Sequence, residues 1–478
     1  DQVYMQAVTL TNDVEFTAAD GPDGNMTAIR FASTLDEAAG ATSSNATFST
    51  PDDIIFAEAI GSNILLDSLT FTQANNIQFD ETIAIEGDLT VTTANHVDFN
   101  STIEVGGNVL QSAGTGTTTF NGTAVGGIAG TLDVTTNDVQ FASSQVVTQG
   151  AVTIEANGSI STMGMGGINA GAADISLTAD ADGTAGVNGG EFTQSALSTI
   201  QTDGNITVQV NGSGNASIAN LIAGSSSGLV QVTTGGAIID ATPSETANIT
   251  GFAAALSAEA GIGNGMAPLT DIDTAVTQLA FSNTSTSAIT QIENDGALTI
   301  TESGGITESR SNAGGVIAAR SPLTISMATV VGGNMTFIAG NSTSMSTADD
   351  LTISADVTHL DGDGFIAFIA GDSITHDAGT ISNTGGSINE VRFLADNESM
   401  NGDGFRGGIT QASAAGITAG RASFEAFANV SLDSSTTNAI STVAANVTGD
   451  GSSFSLTNST ELTMGTVRSA SSTMMTPV

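Results

Sequence analysis

Apolar and polar residues alternate along this chain in short bursts. Leu89-Thr90-Val91, Val97-Asp98-Phe99 and Ile103-Glu104-Val105 each place an apolar side chain at every second position, which is the period of a half-buried β-strand. Asn- or Gly-rich corners separate the bursts, and Gly106-Gly107 closes the third before the pattern restarts at Val109. Phe79, Phe99, Phe120 and Phe141 return about every twenty residues. Leu69, Leu89, Val109, Leu132 and Val152 keep nearly the same step. Two registers with one period predict a repeated unit of three strands, roughly 20–25 residues per rung. Successive rungs would stack about 4.8 Å apart with the apolar residues inward. The expected fold is all-β: a parallel β-helix, or β-solenoid, of triangular section.

The rungs are most regular over residues 69–155. Asn12-Asp13-Val14-Glu15-Phe16 repeats the corner-plus-strand pattern near the start. From residue 160 the spacing loosens, but the apolar-Thr-apolar motif of Leu89-Thr90-Val91 and Val152-Thr153-Ile154 persists in Ile206-Thr207-Val208, Leu298-Thr299-Ile300, Met335-Thr336-Phe337, Leu351-Thr352-Ile353 and Leu462-Thr463-Met464. One solenoid over residues 1–468 is therefore expected, with looser rungs over 160–468 and a poorly ordered tail at 469–478. A rod of that length would span on the order of 100 Å. Phe252–Glu259 is apolar enough for a helix but too short to be stable alone, and it reads as a strand or a brief interruption.

Composition fits many short strands joined by tight turns. Trp is absent, Tyr occurs once, and Gly and Asn supply corners where the backbone turns sharply. The charge is extreme: 49 acidic residues face seven Arg, three His and no Lys, for a formal net charge of −42. Such a polyanion is repelled by nucleic acid and by anionic lipid, which excludes nucleic-acid binding. No segment carries the roughly twenty apolar residues of a membrane-spanning helix. Without Cys there is neither a disulfide framework nor a thiolate metal site. A chain that starts at Asp1 reads as a processed product or a piece of something longer.

From Gly261 to Ile306 the chain carries Gly261-Ile262-Gly263, Pro268-Leu269, Val276, Leu279-Ala280, Ile289, Ile292 and Asn294-Asp295-Gly296-Ala297-Leu298-Thr299-Ile300. This stretch resembles the repeat units of very large bacterial surface proteins, the filamentous-haemagglutinin and β-strand-repeat adhesins. The resemblance implies a right-handed β-helix, export to the cell surface, and a role in adhesion or in a surface fibre. It implies no catalytic residues. The chain departs from that pattern in lacking Lys and in showing no match to the secretion domain of two-partner-secreted members.

Acidic Gly-rich turns are the candidate sites. Asp361-Gly362-Asp363-Gly364 is echoed by Asn401-Gly402-Asp403-Gly404, and Asp20–Asn25 and Asp180-Ala181-Asp182-Gly183 are similar. Carboxylates on a flexible turn suit Ca²⁺, so Asp361, Asp363 and Asp403 are the candidate ligands. Asp and Gly are equally the ordinary residues of tight turns. Asn-x-Ser/Thr sequons are plentiful, and exposed corners such as Asn121 and Asn211 are the candidate glycosylation sites. His96, His359 and His376 are isolated in sequence; the last two flank an acidic turn, which makes them candidates for a metal.

The expected function is that of a non-enzymatic, extracellular structural or adhesive rod within a surface fibre or giant adhesin. Its partners would be itself, neighbouring surface proteins or cell-surface glycans. One alternative is a subunit of a self-assembling surface layer or filament, joined by strand addition through end rungs or the segment Gln2–Thr11. Another is a β-helix enzyme acting on polysaccharide, which would need convergent carboxylates or an Arg such as Arg392 or Arg406 beside acidic turns.

Overall fold

The computed structural model describes residues 1–19, 28–122, 127–143, 145–183, 190–263, 270–340, 349–360, 362–396 and 406–467. Every helix or strand among the described residues is a β-strand. The chain divides into two compact units, Asp1–Gly235 and Gly236–Val478. Each is a stack of parallel rungs, so the expected β-solenoid is observed.

In the first unit one face passes through Gln2–Tyr4, Ile29–Phe31, Ile54–Phe56, Asn76–Phe79, His96–Phe99, Thr117–Phe120 and Asp138–Phe141. A second includes Val8–Leu10 paired with Leu35–Glu37, and Ile83–Ile85 paired with Ile103–Val105. The third runs through Val14–Thr17, Asn45–Ser49, Ser68–Gln73, Leu89–Val91, Val109–Gln111, Leu132–Thr136 and Val152–Ala156. The pairing is in register: Leu69, Leu89, Val109, Leu132 and Val152 are successive partners, as their spacing predicts. So are Phe79, Phe99, Phe120 and Phe141.

In-register stacking lays like side chains on one another, and the rung spacing sets how closely. The rings of Phe79, Phe99, Phe120 and Phe141 form a ladder with centroids 5.1–5.2 Å apart and planes within 10° of parallel. It continues backward through Phe56 and Phe31 to Tyr4. Phe16 does not join it. It starts a second file, Phe16–Phe48–Phe71, that meets the first edge-on, with Phe48 and Phe56 5.3 Å apart and 89° between their planes. Offset-stacked and edge-to-face pairs are the favoured aromatic geometries. Two interlocked files thus pack against each other through the first rungs.

Many corner acids and amides have a structural task, which is to accept a hydrogen bond from the backbone of the next rung. Asp13 takes the N–H of Asn45 at 3.0 Å, Asp88 that of Asn108 at 2.6 Å, and Asn108 that of Thr131 at 2.9 Å. Asp174 holds Asn205, and Asn205 holds Leu229. At Gly106 only hydrogen fits, because a Cβ would lie 2.2 Å from the carbonyl oxygen of Glu86.

The second unit repeats the plan with longer strands. Leu298–Ile300, Leu323–Ile325, Leu351–Ile353, Ile374–His376 and Ile409–Gln411 stack in register on one face. Ala415–Ala426 bends around a corner, pairing first with Gly379–Asn383 and then with Asn389–Leu394. Of the two readings of Phe252–Glu259, strand or interruption, the strand is observed, as Ala253–Ala258. The apolar-Thr-apolar motif does not mark a single position: Leu298–Ile300 and Leu351–Ile353 share a column, whereas Met335–Phe337 lies on another face and Leu462 and Met464 are exposed. On that other face alternation fails. Ala318, Ile338 and Ile369 form an outward-pointing buried cluster, joined by Val316 and Leu394.

Candidate cation site

Within the second unit, strand Ile272–Ala275 pairs in parallel with Thr290–Asn294, so that Asp273 sits beside Glu293 and Ile272 beside Ile292. The isoleucines face the core, and the alternation of a strand sends Asp271, Asp273 and Glu293 to the outward side. The connection after strand Ile238–Asp240 brings Asp240 and Glu245 to the same place. Carboxylate oxygens of Glu245, Asp271 and Asp273 lie within 4.8 Å of one another.

The loop reaches this position through Asn248, which is completely buried. Its Nδ2 donates to Asp240 Oδ1 at 2.6 Å, and its Oδ1 accepts the backbone N–H of Asp273 at 2.9 Å. Thr242 donates its own N–H and its hydroxyl to Asp240 Oδ1, both at 2.7 Å. On the other side Glu293 receives Arg320 Nε at 2.6 Å. Asp240 and Glu293 are thereby engaged, and three carboxylates converge without a cation between them.

The electrostatic consequence is large. Burial, then the neighbouring negative charges of Asp271, Glu245, Glu293 and Asp240, push the Asp273 carboxyl up to about 8. Burial also raises Asp271 and Glu245 above the usual carboxylate range. Arg320 is raised by its hydrogen bond to Glu293. The group favours whatever supplies positive charge, whether a proton or a metal ion.

This cluster is not where the acidic Gly-rich turns pointed. Asp361 and Asp403 lie outside the described residues, as do Asp20–Asn25, Pro268-Leu269 and the tail 469–478. Asp363 is an exposed corner residue whose Oδ1 accepts the Ser387 hydroxyl at 2.8 Å and the Ile388 N–H at 3.0 Å. Those bonds, that from Ser387 foremost, hold its carboxyl below the usual range. It does for its rung what Asp88 and Asp174 do for theirs. Asp180 is buried at positive φ, and burial together with Asp182 raises its carboxyl.

Among the described residues no histidine belongs to a cluster of three or more potential metal ligands. Nδ1 of His96 accepts the N–H of Thr117 at 3.0 Å, and the residue borders a shallow outward depression with Asp53, Asn76, Gln78 and Asp98. Both ring nitrogens of buried His359 face backbone carbonyls, those of Leu360 and Gly333. His376 points into the core column between Ile353 and Gln411, and burial lowers it to about 4. Asn121 and Asn211 are both exposed; Asn121 Oδ1 accepts the Ser143 hydroxyl and Asn211 Nδ2 donates to the Ala181 carbonyl. Two other sequon residues, Asn248 and Asn283, are wholly buried and closed to glycosylation in the folded chain.

Of the two arginines named for the polysaccharide-acting alternative, Arg392 is buried against Glu390 and over the ring of Phe365. Arg406 lies 3.8 Å over Phe427. The sequence signal for the cluster was Asp271-Ile272-Asp273, two acids one residue apart in a strand, which the search for Gly-rich turns passes over. No protein-family profile, curated protein or solved structure matches the chain.

Proposed function

We propose that this chain is a non-enzymatic structural or adhesive segment of an extracellular surface fibre or giant adhesin. What supports the reading is the in-register stacking of like side chains, rung on rung, beneath outward Thr, Asn, Asp and Gln. Such a column builds length and stiffness and asks little of the outward residues except solubility. The acidic surface opposes self-association by mutual repulsion, most strongly at low ionic strength, and corner acids also hold rungs together. Arg392 is locked in an ion pair and so is not disposed as a general base.

Electron microscopy of the purified chain, with and without Ca²⁺, tests this reading. Isolated rods favour the fibre or adhesin segment. Filaments continuous beyond one chain length favour the self-assembling subunit instead.

A polysaccharide-acting enzyme is the second reading, favoured by the convergence of Glu245, Asp271 and Asp273 on an outward face. Release of reducing or unsaturated sugar ends from uronate or neutral polysaccharides, abolished by Asp271→Asn, would establish it. Unchanged polymer would remove it.

A further inference from the structure

We propose that Glu245, Asp271 and Asp273 together bind one divalent cation, Ca²⁺ by their ligand chemistry, and that the ion fastens the loop before Asn248 to the strand Ile272–Ala275.

The first support is distance. Oxygen ligands lie 2.3–2.6 Å from Ca²⁺, so two of them bound to one ion are separated by at most about 5 Å. The three carboxylates fall inside that limit without rearrangement, at 4.8 Å or less.

A second observation is independent of the clustering. Asp273 is only 7% exposed, and its carboxylate accepts no hydrogen bond from any described residue. Its backbone N–H is satisfied by Asn248, so the strand is anchored while the side chain remains unmatched. A carboxylate held this far from water without a hydrogen-bond partner is disfavoured in its charged form, and such groups are normally paired, protonated or bound to a metal. Its nearest charged neighbours, Glu245 and Asp271, are themselves anions. The available cation, Arg320, is already committed to Glu293.

The site is also built in advance. Asp240, Thr242 and Asn248 tie the loop to the rung through neutral and charge-assisted bonds, which places Glu245 over Asp271 and Asp273 before any ion arrives. The two strand residues are held by the sheet and the third by the loop, so one ion would join two segments separated in sequence. Exposed Glu245 leaves room on the outer side for water ligands, which Ca²⁺ accepts in its larger coordination shell. The site stands whether the chain is an adhesin, a filament subunit or an enzyme.

The test is calorimetric titration of the full chain, stripped with EDTA, with CaCl₂ and separately MgCl₂ in about 0.15 M NaCl to screen diffuse binding. One saturable Ca²⁺ site is expected, with a Ca²⁺-dependent rise in melting temperature. Asp273→Asn and Asp271→Asn should weaken that site by more than about tenfold, and Asp363→Asn should leave it unchanged. Glu245→Gln, on an exposed loop and safe for folding, should weaken it similarly. Equal Ca²⁺ binding by the parent and all three site variants would overturn the proposal. So would the absence of any saturable Ca²⁺ response in the parent.

Discussion

The guanidinium of Arg392 and the carboxylate of Glu390 form an ion pair with side chains only 1% and 3% exposed, on the outward side of a solenoid strand. Arg392 also lies 4.0 Å above the Phe365 ring, and Arg421 approaches the other oxygen of Glu390 at 3.5 Å. An outward column meant for water is here sealed, beside the apolar cluster of Ala318, Ile338 and Ile369. Removing one partner would strand a buried charge. Arg392→Ala is expected to cost about 3–5 kcal/mol. The double variant Glu390→Gln/Arg392→Met should recover most of that loss. Chemical denaturation of the two variants checks this, and a double variant no better than Arg392→Ala would contradict it.

The aromatic ladder makes a local claim about stability. Phe99 is buried and stacked on both sides, by Phe79 and Phe120, each 5.2 Å away. Phe99→Ala should cost about 3–5 kcal/mol. Because each rung contacts mainly its neighbours, hydrogen exchange should accelerate most between residues 76 and 141 and little in the second unit. Uniform acceleration across both units would show that the ladder is not the local unit of stability.

His376 predicts an acid-side loss of stability. Burial lowers its folded value to about 4, from the ordinary 6.5 of a free imidazole. As the pH falls from about 6.5 to about 4, the unfolded chain takes up a proton that the folded chain refuses, so stability falls across that window. The full penalty, a few kcal/mol, is reached below the folded value. His376→Gln should flatten this part of the stability–pH curve, and an unchanged slope would refute the assignment.

Asp363 bears on the corner caps. Its folded carboxyl is lowered by the bonds from Ser387 and Ile388, so its contribution is present above the unfolded value and lost as pH falls through the folded one. Asp363→Ala should lower the melting temperature at neutral pH, and the gap should close in acid. Asp363→Asn, which keeps an acceptor oxygen, should retain much of the effect. A gap independent of pH would count against a charged cap.

Much of the fold was legible because a strand advertises itself through period two and a stack through in-register repetition. Leu89, Val109 and Leu132 follow one another in sequence as they do in space. Phe31 and Phe56 belong to the same ladder as Phe79, but longer corners between the early rungs hide them from a fixed count. The outward burial of Ile338 and Ile369 had its own trace in the unbroken apolar runs Phe337-Ile338-Ala339 and Phe368-Ile369-Ala370. An alternation template misses such runs.

The candidate site divides in the same way. By itself the sequence determined the β-solenoid, its inward columns and its overwhelming negative charge, since these depend on periodicity and composition, which are local or additive. Which carboxylates would be hydrogen-bonded caps and which would crowd together was decided only by tertiary structure. Asp363 and Asp273 are the same residue in similarly acidic surroundings. One faces the next rung's backbone N–H groups; the other lies buried beneath a loop carrying Glu245, beside a neighbouring strand carrying Glu293. That difference arises from which rung and which loop stack against each residue, and desolvation and charge proximity act only once that stacking exists.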